Sequence, residues 1–129
     1  MTKEIIVPRR VHKAEGGYNH AVRVGNLLYI SGQVAQDRKG QVVGKGDISV
    51  QADQALKNLQ GVLQSAGATL KDVVKTNVYL IRAKDISGFQ QIYLKYFSSD
   101  YPASTWTVIR RLYSPDFLVE IEAIAEVKP

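Results

Sequence analysis

The chain contains no cysteine and only two histidines in 129 residues. A thiol nucleophile and a disulfide framework are therefore excluded. The common zinc sites, built from cysteine and histidine, are left almost without ligands. No apolar run approaches the roughly 20 residues of a membrane-spanning helix, and Met1-Thr2-Lys3-Glu4 opens no apolar segment of the secretory kind. No membrane partner is expected, and the cytoplasm is the expected location. Low-complexity tracts, repeats and linkers are missing as well, so residues 1–129 read as a single domain. A chain of this size buries roughly two-thirds of its unfolded surface, enough for a real core.

Acidic residues are the scarcer charge: 12 Asp and Glu against 17 Lys and Arg leave a net +5. Clustered cations would suggest nucleic acid, because they neutralise phosphates and release counterions. Here the only adjacent basic pairs are Arg9-Arg10 and Arg110-Arg111, and the other cations alternate with acids or apolar residues. That pattern argues for a solvated basic surface over a nucleic-acid footprint.

The apolar periodicities divide the chain clearly. Glu4 to Val7 reads as a short strand ended by Pro8, and His20–Val24 and Leu27–Ser31 as a hairpin about Gly25-Asn26. A short strand is expected at Gln41-Val42-Val43. Asp47 or Ser49 then caps a helix whose apolar residues Ala52, Ala55, Leu56, Leu59, Val62, Leu63 and Ala66 recur at steps of three and four. Gly67 closes that helix in the left-handed conformation. Val73 to Ile81 alternates and is β-branched, hence a strand. Asp85 caps a second helix with Ile86, Phe89, Ile92, Tyr93, Tyr96 and Phe97 inward, and strands follow over Thr105–Ile109 and Phe117–Val127. The expected architecture is an α+β fold, a mixed six-stranded sheet in the order β-β-β-α-β-α-β-β with both helices on one face. The uncovered face would then carry Trp106 and Val108, or Leu118 and Ile124, into water, which points to an interface.

A series of short motifs runs in order along nearly the whole chain. Gly16-Gly17-Tyr18 precedes Tyr29-Ile30-Ser31-Gly32-Gln33, then Gln54-Ala55-Leu56-Lys57-Asn58-Leu59, Val74-Lys75-Thr76-Asn77-Val78, Pro102-Ala103-Ser104-Thr105, and Glu120-Ile121-Glu122-Ala123-Ile124-Ala125. In this succession the chain resembles the reactive intermediate deaminase (Rid, YjgF-type) family. The resemblance implies a chorismate-mutase-like homotrimer with sheets facing inward and clefts between subunits. It also implies hydrolysis of a reactive enamine or imine without metal or organic cofactor. Within it Glu120 is the catalytic residue, placing the attacking water or moving its proton. Tyr18, Ser31, Gly32, Ser104 and Trp106 contact the substrate. Ser104 stands where deaminating members carry the arginine that grips a substrate carboxylate, and Trp106 where a small residue is usual. A small-molecule ligand that is neutral or aromatic is the expected partner.

The residues themselves bear on these roles. Strand parity sets Glu120, Glu122 and Glu126 opposite the core residues Val119, Ile121, Ala123 and Ala125. A carboxylate partly desolvated in a cleft rises toward neutral pKa and suits proton transfer. A serine hydroxyl lacks the charge and the fork of guanidinium. Arg110 shares the parity of Ser104 but stands about 20 Å along the strand, so it or Arg111 would reach the cleft only from a neighbouring subunit. Tyr18 reads equally as a stacking platform and as a half-buried strand aromatic. Gly32 marks a close backbone approach, and His20, among apolar strand residues, reads as structural. Two other readings stand beside the hydrolase: a non-catalytic member binding metabolites or proteins, and a ribonuclease or translation inhibitor with net charge as its support.

Overall fold

The computed structural model describes residues 2–128. Six strands form one sheet: β1 (Glu4–Ile6), β2 (Ala21–Val24), β3 (Leu27–Gln33), β4 (Val73–Leu80), β5 (Ala103–Val108) and β6 (Val119–Glu126). Their spatial order is β1-β2-β3-β6-β4-β5. Every pairing is antiparallel except β4 with β5, which run parallel across the helix that joins them. The sheet is therefore mixed, and the α+β order matches the expectation.

Helix α1 (Ile48–Ser65) begins where Asp47, extended at φ −117°, accepts a hydrogen bond from the Val50 amide at 3.2 Å. It ends where Gly67 turns to φ 75°, with the Gly67 amide donating to Gln64 O and the Ala68 amide to Leu63 O. Helix α2 (Ile86–Tyr96) starts differently from the expectation. Asp85 precedes it but caps nothing, because its buried carboxylate takes the Arg82 guanidinium in two contacts of 2.6 and 3.1 Å. Both helices pack on one face of the sheet. Leu56, Leu59, Val62, Leu63 and Phe89 meet Leu28, Ile30, Val78, Leu80, Val119 and Ile121 in a continuous core. Tyr96 fastens α2 to α1 by donating to Asp53 Oδ1 at 2.6 Å.

Local boundaries shift from those expected. Gln41-Val42-Val43 forms only an isolated bridge between Val42 and Gln36, since the surrounding loop gives it no longer partner. β5 starts at Ala103, two residues early, because β4 pairs with it from Lys75 onward. β6 starts only at Val119, since Phe117 and Leu118 complete the preceding turn and its hydrogen bonds to α1.

One correction matters more. The uncovered face does carry apolar side chains, but they are Ile5, Leu27 and Tyr29, with Val22 and Ile124 half-buried beside them. Trp106 is on the helix side: it sits opposite Val78 in the pairing of β4 with β5, and its ring lies 4.9 Å from Phe89 and 5.1 Å from Tyr93. Leu118 is buried before β6 begins. Val108 is exposed at the edge of the sheet. The physical reason is that β5 is an edge strand with polar and apolar residues on both parities, so only its pairing decides which side is inward.

Candidate functional site

β6 carries the central residue. Val119, Ile121, Ala123 and Ala125 are buried under the helices, which turns Glu120 and Glu122 to the open face opposite Tyr79 and Asn77. The position of β6 is set partly by Gln51 on α1, a fully buried amide. Its oxygen accepts from the Leu118 amide at 2.8 Å, and its nitrogen donates to Asp116 O at 2.8 Å and to Gly44 O at 3.2 Å. Gln51 thus holds the start of the strand two residues before Glu120. Sequence reading missed it, because a glutamine on a helix interior carries no signal until its partners are known.

Beside β6, strand β3 bulges. Ile30 pairs with Ala123 and Gln33 with Ile121, so β3 spends one residue more than β6 over this stretch. Ser31 and Gly32 occupy the irregular part. A methyl group at Gly32 would overlap the Glu120 carboxylate, so the absence of a Cβ is what admits that side chain. The close approach anticipated for Gly32 is made by this chain's own carboxylate. Burial, and then repulsion by Glu122, push the Glu120 carboxyl above its ordinary range.

Tyr18, 42% exposed, stands near the same carboxylate. Burial, followed by the charges of Glu120 and Glu15, raises its phenol above the usual value. Its hydroxyl lies 3.4 Å from His12 Nε2. Behind it His20 is buried with both ring nitrogens used: Nε2 donates to the His12 carbonyl at 2.7 Å, and Nδ1 accepts from the Gln33 amide at 3.1 Å. Burial lowers its pKa, and the two hydrogen bonds specify the neutral ring. His20 is structural. Ser31 donates its hydroxyl to Asn19 O at 2.6 Å, which ties β3 to the segment carrying Tyr18.

These groups border a hollow of about 890 Å³ whose walls include Tyr18, Ser31, Gly32 and Glu120. Other walls come from Phe117 and Glu122 of the C-terminal motif, and from residues that no motif marked: His12, Glu15, Arg38, Lys39 and Tyr113. The latter lie on loops, where neither periodicity nor parity says which way a side chain turns. Of the residues assigned to the site from sequence, the single subunit therefore brings together Tyr18, Ser31, Gly32 and Glu120.

Ser104 and Trp106 are elsewhere. In the pairing of β4 with β5, Ser104 sits opposite Thr76, and both belong to the helix side of the sheet. The Ser104 hydroxyl accepts from the Trp106 indole N–H at 2.7 Å and lies 2.6 Å from the Thr76 hydroxyl, which is 3.0 Å from the Tyr93 hydroxyl. Within one subunit the sheet separates this chain of hydroxyls from Glu120, so a common cleft on the same face is ruled out for a single copy. Arg111 turns back to the carbonyls of Leu112 and Tyr113. Among the described residues no group of three His, Asp or Glu side chains could hold a metal ion, and no helix is long and apolar enough to cross a membrane.

Comparison with known proteins gives consistent matches. The family model described as Endoribonuclease L-PSP matches residues 9–127. A RutC family protein of Saccharolobus solfataricus is 42% identical over 125 residues, covering 96% of this chain and 98% of the relative. The 3-aminoacrylate deaminase RutC of Acinetobacter baylyi is 34% identical, covering 98% of this chain and all of that one. The human 2-iminobutanoate/2-iminopropanoate deaminase is also 34% identical, over 97% of this chain and 90% of its own length. Among solved structures, the YjgF gene product of E. coli superposes with a TM-score of 0.90 at 30% identity, covering 97% of this chain and 99% of that one.

Proposed function

The chain belongs to the endoribonuclease L-PSP family, the group that includes the Rid and RutC proteins, and from that premise we propose that it is a hydrolase deaminating a small enamine or imine. The observation that carries the reading is the half-buried Glu120 carboxylate, seated over Gly32 in the hollow and held above its ordinary pKa. Such a group takes a proton from water more readily than an exposed carboxylate does. Relatives with 34% identity bear the names of deaminases, which supports the reaction class.

In this reading a water molecule lies between Glu120 and the substrate C=N carbon. As its oxygen bonds to that carbon, one proton passes to the carboxylate and the C=N electron pair moves to nitrogen. The carboxyl returns the proton to nitrogen, giving a carbinolamine; the carboxylate then takes the hydroxyl proton and passes it to nitrogen, and as the oxygen electron pair forms the C=O bond the C–N bond breaks and ammonia leaves a carbonyl product. Tyr18 and Ser31 orient the substrate, and the chain supplies every group the steps require. The exposed Ile5, Leu27 and Tyr29 support a homotrimer closed over the uncovered sheet face. Ser104 and Trp106 would then border a Glu120 hollow only from a neighbouring subunit. Ser104, standing in place of the arginine of deaminating relatives, supplies no cation there.

The test compares Glu120→Gln with Glu122→Gln, which shares its face about 7 Å further along the strand. Ammonia release is followed from 2-iminobutanoate and 3-aminoacrylate generated in the cuvette. Glu120→Gln is expected to lose about 100-fold or more with unchanged assembly, and Glu122→Gln to stay within a few-fold. Equal rates for wild type and Glu120→Gln would overturn the proposal.

A further inference from the structure

Both histidines of the chain meet Tyr18 in one cluster of rings. His12 and Tyr18 line the Glu120 hollow, and His20 lies behind them. The His12 and His20 ring centroids are 4.8 Å apart at 82°, and those of Tyr18 and His20 are 5.7 Å apart at 78°, both edge-on contacts. His20 anchors the cluster. It is buried, its Nε2–H donates to the His12 carbonyl, and its Nδ1 accepts from the Gln33 amide. The His12 backbone is thus tied to the same ring that its side chain packs against. What remains open at His12 is which ring nitrogen carries the proton.

That choice decides what Tyr18 does. His12 Nε2 lies 3.4 Å from the Tyr18 hydroxyl, and one proton serves the contact. With Nε2 bare, the phenol O–H turns to it and away from the hollow. With Nε2 protonated, the ring donates to the phenol oxygen and the O–H is released toward the hollow.

Two observations favour the second arrangement. The other nitrogen, Nδ1, is sealed from solvent and has no hydrogen-bond partner among the described residues. A proton there would be an orphaned buried N–H, a rarer defect in folded proteins than an unpaired acceptor. The second observation is electrostatic. The charges of Glu120 and Glu15 act on the Tyr18 phenol and favour its protonated form. In that field the hydroxyl gains by turning its hydrogen toward the carboxylates and its lone pairs toward His12. Burial and then His20 lower the His12 pKa against the opposing charge of Glu15, so the ring is neutral at pH 7 and has a single proton to place.

We propose that His12 is a positioning residue: with its proton on Nε2 it donates to the Tyr18 oxygen and so aims the phenol O–H into the Glu120 hollow as a hydrogen-bond donor. The hollow then offers a proton acceptor and a neutral donor together. The proton assignment stands on the protein alone, whereas its effect on rate rests on the deaminase reading.

The tautomer is read first, by long-range nitrogen–proton NMR at pH 7, with His12→Gln removing and so assigning the His12 signals. The proton is expected on Nε2 with Nδ1 bare, and Tyr18→Phe, which removes the acceptor, should shift the Nε2 resonance. A proton on Nδ1, or an Nε2 resonance indifferent to Tyr18→Phe, would overturn the proposal. Ammonia release reads the consequence. His12→Leu should lower kcat about five-fold, the strength of one neutral hydrogen bond, and His12→Gln, whose amide still donates, should recover part of the loss. Added to Tyr18→Phe, His12→Leu should cost nothing further, because His12 acts only through that hydroxyl.

The same loss from His12→Leu in both backgrounds would mean a structural role and overturn the assignment. So would an unchanged kcat in His12→Leu, or His12→Gln no better than His12→Leu. A Tyr18-dependent Nε2–H in a protein without any turnover would sink the deaminase reading and leave the proton assignment standing. Turnover by a protein whose His12 carries its proton on Nδ1 would do the reverse.

Discussion

Substituting Gly32 by alanine separates the placement of Glu120 from the stability of the fold. The new Cβ would overlap the carboxylate and would stand 2.6 Å from Glu120 Cδ and 2.8 Å from Cγ. Ordinary carbon contacts need about 3.5–4 Å, so the side chain must withdraw by roughly 1 Å. Gly32 is not among the glycines with positive φ, so alanine adds no left-handed strain. The obstacle is the far end of a flexible side chain, and moving it off its rotamer costs about 1 kcal/mol. For a chain of 129 residues the unfolding entropy is about 0.27 kcal/mol/K, so Tm should fall only about 4 °C. Activity should fall far more, on the order of 100-fold, because a shift of about 1 Å in a reacting group costs that much. Calorimetry and ammonia release measure the two effects. Gly32→Ala in a Glu120→Ala background should lose its stability cost, since the side chain it displaces is gone. Undiminished activity in Gly32→Ala, or the same Tm loss in both backgrounds, would refute the reasoning.

The raised pKa of Glu120 has a stability consequence of definite sign. The unfolded carboxyl ionises before the folded one, so the native state holds more protons between the ordinary value near 4.5 and the raised folded value. Stability is lost as pH rises through that window, and Glu120→Gln should melt higher than wild type at pH 7 and nearly level with it at pH 4. Sedimentation should show a trimer at micromolar concentration, with Tyr29→Glu on the uncovered face dissociating it; a stable wild-type monomer would reject the assembly. Binding to a mixed-sequence RNA should be weak and fade as salt rises from low to physiological levels, because the cations are dispersed. A salt-resistant complex, or RNA cleavage abolished by Glu120→Gln in a nuclease-free preparation, would favour the ribonuclease reading.

The elements themselves were legible in the chain because their signals are local. Steps of three and four residues specify α1, Gly67 stops it, and alternation in β6 sets Glu120 opposite the core. Even Gly32 was readable as a close approach, since a glycine inside an alternating strand has few other uses. The motif order that joins Tyr18, Ser31, Gly32 and Glu120 needs no coordinates either. Tertiary structure alone decided what depends on partners distant in sequence. Trp106 and Ser104 turned out on the helix side because β5 pairs in parallel with β4, and an edge strand exposed on both parities hides that choice. Asp85 caps no helix because Arg82 folds onto it. Gln51 and Asn58 look like ordinary polar helix residues until their amides meet loop backbone far along the chain. Local pattern reports the backbone and its faces, whereas the direction of a loop side chain is set by packing that no short window of sequence contains.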